Sequence, residues 1–131
     1  MSVTEQVATA FLDGDADTIL KACADDVLLD AVVPQWRFQL QGHDGLRDAL
    51  AEEFVPGRRV TESHVTPTAD GVLVEVEAWA PMHGEDRMWR EMAHFRVSGD
   101  TVSEVVFYCS GIWDAATIAR HAVEAPMVRS R

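Results

Sequence analysis

Apolar residues recur every three or four positions along the first part of the chain, and beyond residue 57 they alternate. Val3, Val7 and Phe11 fall on one helical face and predict a short helix over residues 3–12. Asp13-Gly14-Asp15 breaks it, and Asp15 is a natural N-cap for a second helix running through Cys23. Asp25-Asp26 leads into a strand, Val27 to Val33, that Pro34 ends. The segment from Gln35 to His43 is expected to be a loop. Leu46, Leu50 and Phe54 then repeat every four residues, which predicts a third helix opened by His43 or Asp44 and closed by Pro56-Gly57. Residues 58–66, 72–80, 87–98 and 101–110 are expected as four strands. The breaks between the last three of them, and the one at Ala69-Asp70-Gly71, suit hairpins. Asp114 caps a last short helix that Pro126 terminates. Helices first and a strand meander afterwards predict an α+β fold, one layer of helices over an antiparallel sheet.

Strand parity sorts the side chains, because alternate residues face opposite sides of a sheet. On residues 72–80 the set Val72, Val74, Val76, Ala78 and Ala80 is small and apolar, and should face the helices, leaving Glu75, Glu77 and Trp79 outside. On the next strand Trp89, Glu91, Ala93, Phe95 and Val97 should be inside, and on the last Val105, Phe107 and Cys109. The predicted inner wall therefore carries one carboxylate, Glu91. Set beside Trp89 in an apolar cavity it would be desolvated, which favours its protonated form and suits acid or base work. The competing expectation puts Glu91 at the rim, paired with Arg87 or Arg47. Trp79, Met92, His94 and Val106 on the outer sheet face, extended by Tyr108, read as an apolar patch for a homodimer contact.

Charge narrows the partners. Twenty-two acids against 11 bases give a net charge of −11 over 131 residues, a field that repels phosphate backbones and anionic lipid. No nucleic acid and no membrane are expected as partners, and no apolar run approaches the roughly 18 residues of a spanning helix. The acidic N-terminal segment does not read as a signal peptide, and Cys23 and Cys109 without a CxxC point to a reducing compartment, so a cytoplasmic location is expected. The five histidines are dispersed, with no metal-binding spacing, so no metal or cofactor is expected. At this length, with 47% hydrophobic residues, the chain is expected to form a single domain over residues 1–131.

Two segments carry a family resemblance. FLDGDADTILKACADDVLLDAVVP (Phe11 to Pro34) and EMAHFRVSGDTVSEVVFYCSG (Glu91 to Gly111) resemble the opening helices and closing hairpin of the nuclear transport factor 2-like superfamily. The resemblance implies a cone-shaped, curved antiparallel sheet with three N-terminal helices packed on its concave face and one deep pocket. YCSGIWDAATIARHAVEAP (Tyr108 to Pro126) is similar to the C-terminal run of the SnoaL-like branch, which includes polyketide cyclases. In that branch an Asp or His inside the cone does acid–base work without a metal or cofactor. Ketosteroid isomerases of this superfamily rely on a tyrosine and two aspartates. The slots aligned with them hold Val7, Ala31 and Ala93, so that mechanism is not expected. The Asp–Arg–Asp set of limonene epoxide hydrolase is likewise replaced by Val76, Ala78 and Phe107. Asp30 remains as a base aligned with the hydrolase wall, if a strand-end bulge turns it inward.

The resulting expectation is a cofactor-independent acid–base enzyme of isomerase, cyclase or dehydratase/hydratase type, acting on a small apolar ring compound. Glu91 or Asp30 would be the base and His43 would orient or polarise the substrate. Phe11, Trp36, Val76, Ala78, Trp89, Ala93, Phe95, Val105, Phe107, Cys109 and Trp113 would line the pocket. The alternative is a non-catalytic protein of the same fold that binds a small hydrophobic molecule, for which apolar walls with one polar contact suffice.

Overall fold

The structure is a computed structural model that describes residues 1–129. Three helices come first, α1 (Val3–Asp13), α2 (Ala16–Ala22) and, after two strands, α3 (His43–Glu53). Asp15 caps α2 by accepting a hydrogen bond from the Thr18 amide, and Gly14 ends α1 in the left-handed conformation. The strands are β1 (Cys23–Val33), β2 (Trp36–Gln41), β3 (Arg59–Thr68), β4 (Gly71–Met82), β5 (Glu85–Ser98) and β6 (Thr101–Cys109). A last helix, α4 (Ala115–Glu124), is capped by Asp114 and buries none of its side chains.

The six strands form one curved, unclosed sheet in the order β2-β1-β6-β5-β4-β3. Two features differ from the sequence expectation. The segment after Pro34 is not a loop but the edge strand β2, turned back on β1 through Gln35 at positive φ. And β1 runs parallel to β6, so the sheet is mixed while its other four pairings are antiparallel. Its register slips between Cys23 and Leu28, which frees the carbonyls at the start of β1.

Parity holds along the central strands. Val72, Val74, Val76, Ala78 and Ala80 of β4 are all buried, as are Trp89, Glu91, Ala93 and Phe95 of β5. Helix α1 packs across β4 and β5, and α3 packs across β1 and β2. Gly71 permits the tight pairing of β4 with β5, since a Cβ there would lie 1.8 Å from the Phe95 carbonyl oxygen. The main core joins Val7 and Phe11 of α1, Ile19 of α2 and Leu46 and Leu50 of α3 to the inward residues of the sheet.

Candidate active site

Between the three helices and the sheet lies a cavity of about 400 Å³. Phe11 and Ile19 line it from α1 and α2, and Leu46, Ala49 and Leu50 from α3. Leu29, Ala31, Val33 and Phe38 line it from β1 and β2, and Trp89, Phe95, Val105, Phe107 and Cys109 from β5 and β6. Edge-to-face contacts of Phe11 with Phe54 and with Phe95 fix the aromatic part of this wall. Exposed Glu52 and Ile112, next to Pro34 and Gly111, mark its opening.

One polar cluster interrupts the apolar wall. The Trp89 indole N–H donates to two carboxyl groups at once, Glu53 Oε1 at 3.1 Å and Glu91 Oε2 at 3.0 Å. Glu53 reaches the cavity from the last turn of α3, and Glu91 lies behind it on β5 with its side chain fully enclosed. The other Glu91 oxygen faces Arg58 Nη2 at 3.5 Å. That guanidinium is itself buried, packed over the Phe11 and Phe54 rings. It donates to the Phe11 and Leu12 carbonyls at the C-terminal end of α1, where a cation complements the helix dipole.

Burial pushes the Glu91 carboxyl up to about 10, because no water remains to stabilise its charge. The neighbouring Glu53 carboxylate pushes in the same direction, through hydrogen bonding and through repulsion. Arg58 and the Trp89 N–H pull the other way and do not prevail. The Arg58 contact is long, and the guanidinium is shared with two carbonyls and two rings. Glu91 is therefore held in its protonated form through neutral pH. Cys109, on the same wall, has its thiol pushed up to about 11, chiefly by burial, and is a poor nucleophile.

The structure brings Glu91, Trp89, Phe11, Phe95, Val105, Phe107 and Cys109 to this region and takes the other candidates elsewhere. Glu91 is neither at the rim nor paired with Arg87 or Arg47, which bond to Glu85 and Asp44. Asp30 points away from the cavity. It lies on the opposite face of β1 from Leu29 and Ala31, and Arg37 of β2 grips its carboxylate through Nε and Nη2 and holds it well below the usual range. His43 opens α3, but its Nε2–H lies 3.1 Å from the freed carbonyls of both Cys23 and Ala24, so it ties α3 to the slipped end of β1. Trp36 is 70% exposed on the edge strand. Val76, Ala78 and Ala93 are packed into the core under the helices. Trp113 bridges to Met88, and its ring packs at a tilt against His121.

Sequence reasoning missed Glu53 and Arg58. Glu53 stands seven residues after Leu46 and three after Leu50, on the face of α3 that meets the core, so the helical repeat contained the signal. Arg58 sits in the connection before β3 and left none. Among the described residues no group of three or more His, Cys, Asp or Glu side chains could hold a metal ion, and no helix is long and apolar enough to cross a membrane.

The outer sheet face has a different composition from the apolar patch expected there. Arg90 bonds to Glu62 and Glu77, Arg96 to Asp70 and Glu104, and the Trp79 indole donates to Glu77. Only Met92 and Tyr108 stand exposed among these pairs on the central strands.

Helices at one end of the chain, a curved mixed sheet and an apolar cavity between them define the nuclear transport factor 2-like class of α+β proteins. The model of the SnoaL-like domain matches residues 3–105, and the chain belongs to that family. Solved structures share its fold at low identity. An NTF2-like protein of unknown function from Cytophaga hutchinsonii superimposes with a TM-score of 0.64 at 15% identity, over 82% of this chain and 96% of that one. A candidate polyketide cyclase from Xanthomonas campestris gives 0.63 at 20%, over 81% and 86%. The epoxide hydrolase/cyclase-like enzyme SalBIII, which has a role in pyran ring formation in salinomycin, gives 0.64 at 13%, over 85% and 93%. Among curated proteins none matches this chain.

Proposed function

We propose that the chain is a cofactor-independent acid–base enzyme of isomerase, cyclase or dehydratase/hydratase type, acting on a small apolar ring compound held in the cavity. One observation carries this reading: two glutamates share a single indole N–H in the wall of an otherwise apolar cavity. Such a pair offers a proton acceptor and a proton donor at one place, the requirement for moving a proton within a substrate. Glu53 is the group that meets the substrate. Its carboxylate takes a proton from an acidified carbon and returns that proton to carbon or oxygen at the other end of the rearrangement. Glu91, fixed by Trp89 and Arg58, stays protonated behind it and adds no second negative charge to the site. The cyclase and epoxide hydrolase/cyclase names among the structural neighbours are in keeping with ring-forming proton transfer.

The apolar lining also favours a second reading, a protein of the same fold that binds a hydrophobic molecule without turnover. Deuterium exchange into ring ketones, with epoxide opening assayed in parallel, separates the two. The enzyme reading predicts exchange or opening that Glu53→Gln lowers by about 100-fold or more. Saturable binding without exchange, at any pH between the acid and alkaline limits of folding, supports the binding protein instead.

A further inference from the structure

The charged side chains that meet the cavity are of one sign. Its lining includes Glu52 and Glu53, and among the described residues it includes no Lys, Arg or His. The nearest cation, Arg58, cannot turn toward a ligand. Its terminal nitrogens are bound to the Phe11 and Leu12 carbonyls and face Glu91, and its plane is held over two phenyl rings. The Trp89 N–H is taken up by two carboxyl groups. The cavity thus presents acceptors and almost no free donor. An anionic head group brought here would lose its water and gain no counter-charge, and the net charge of −11 adds a long-range repulsion. A cationic head group meets the reverse situation.

We infer that the cavity selects apolar ring compounds bearing a basic nitrogen, whose ammonium group seats against Glu53 while the ring packs on Phe11, Phe95 and Phe107, and that it rejects carboxylates of the same shape. This rests on the assignment of Glu53 as the carboxyl group that meets the ligand, and it adds the substrate's charge. The ring fits because the walls are aromatic and aliphatic and the volume is that of a small-ligand pocket. The nitrogen fits because its N–H groups donate, and oxygen acceptors are what the wall offers. Glu52, exposed at the opening, extends the same preference to the path of entry.

Three probes that differ only in the head group test this: 2-naphthylmethylamine, 2-naphthalenemethanol and 2-naphthoate, titrated calorimetrically at neutral pH into the full chain. The expected order is amine, then alcohol, then carboxylate, with the amine at least about tenfold tighter than the alcohol, the effect of one charge-assisted hydrogen bond. Glu53→Gln should bring the amine to the level of the alcohol, and an unchanged circular dichroism spectrum shows that the variant is folded. Carboxylate binding equal to the amine's, or an amine preference that survives in Glu53→Gln, overturns the inference. Because the readout is binding, its result is independent of turnover. Head-group selectivity without catalysis would sink the enzyme reading alone, and catalysis without selectivity would sink this inference alone.

Discussion

Arg90 and Glu91 are neighbours on β5, and they illustrate two ways of carrying charge on one sheet. Arg90 faces outward, partly exposed, and shares its guanidinium between Glu62 and Glu77 among solvated ion pairs. Glu91 faces inward with no exposed side-chain surface, against a single long Arg58 contact, an indole N–H and a second carboxyl group. On the outer face water does most of the solvating, and each pair adds little to stability. On the inner face the protein must do it, and it does so by keeping Glu91 protonated. The lesson is that the number of ion pairs on a face says little about chemistry, whereas one under-compensated buried acid beside a cavity says a great deal.

Substitutions on the two faces should separate sharply. The largest effect expected is on turnover: Glu91→Gln removes the protonated carboxyl group behind Glu53 and should lower the rate by about 100-fold or more, while Glu77→Gln on the outer face leaves it unchanged in the same exchange assay. Next comes stability. Arg58→Met strips two helix carbonyls of their donor and should cost about 3 kcal/mol in urea unfolding. Arg90→Met should cost about 1 kcal/mol or less. Equal losses from the two arginines would erase the distinction between the faces.

Titration sharpens it further. Glu91 binds its proton more tightly folded, at about 10, than unfolded, near 4.5, so between these values the folded state holds more protons. The stability this adds is complete below the unfolded value and is lost as pH rises toward the folded one. Stability should therefore decline from pH 6 to 9 by about 1 kcal/mol per unit from this group, and Glu91→Gln should flatten the decline. Asp30 works in the opposite sense, since its lowered value contributes above the unfolded carboxylate range and is lost only in acid. The smallest effect belongs there: Asp30→Asn should leave turnover unchanged at neutral pH, and a large loss would restore Asp30 as a site residue.

The sheet was legible in the sequence where the alternation was strict. In β4 the small residues Val72 to Ala80 mark the inner face without ambiguity, and the same parity on β5 turns Glu91 inward. It was not legible in β2, because Trp36, Phe38 and Leu40 alternate with polar residues on an edge strand that is largely exposed except at Phe38, which resembles a loop by composition. Parallel pairing of β1 with β6 leaves no local trace either, since it joins residues some 75 positions apart in the chain, a separation that local patterning does not register. Half of the acid pair could be read from strand parity. The other half needed the depth of Glu53 in the last turn of α3. There Phe54, which looks like the next apolar position of the repeat, already lies outside the helix as its C-cap.

The central claim is that Glu91 keeps its proton through neutral pH behind Glu53 beside the cavity. Infrared difference spectroscopy of the protonated side-chain carboxyl stretch tests it most directly, with each of Glu53→Gln and Glu91→Gln as an assignment. The account predicts one protonated glutamate that persists through neutral pH and disappears in alkali, with its band lost in Glu91→Gln and shifted or lost in Glu53→Gln. A protein whose carboxyl groups have all ionised by neutral pH would contradict it.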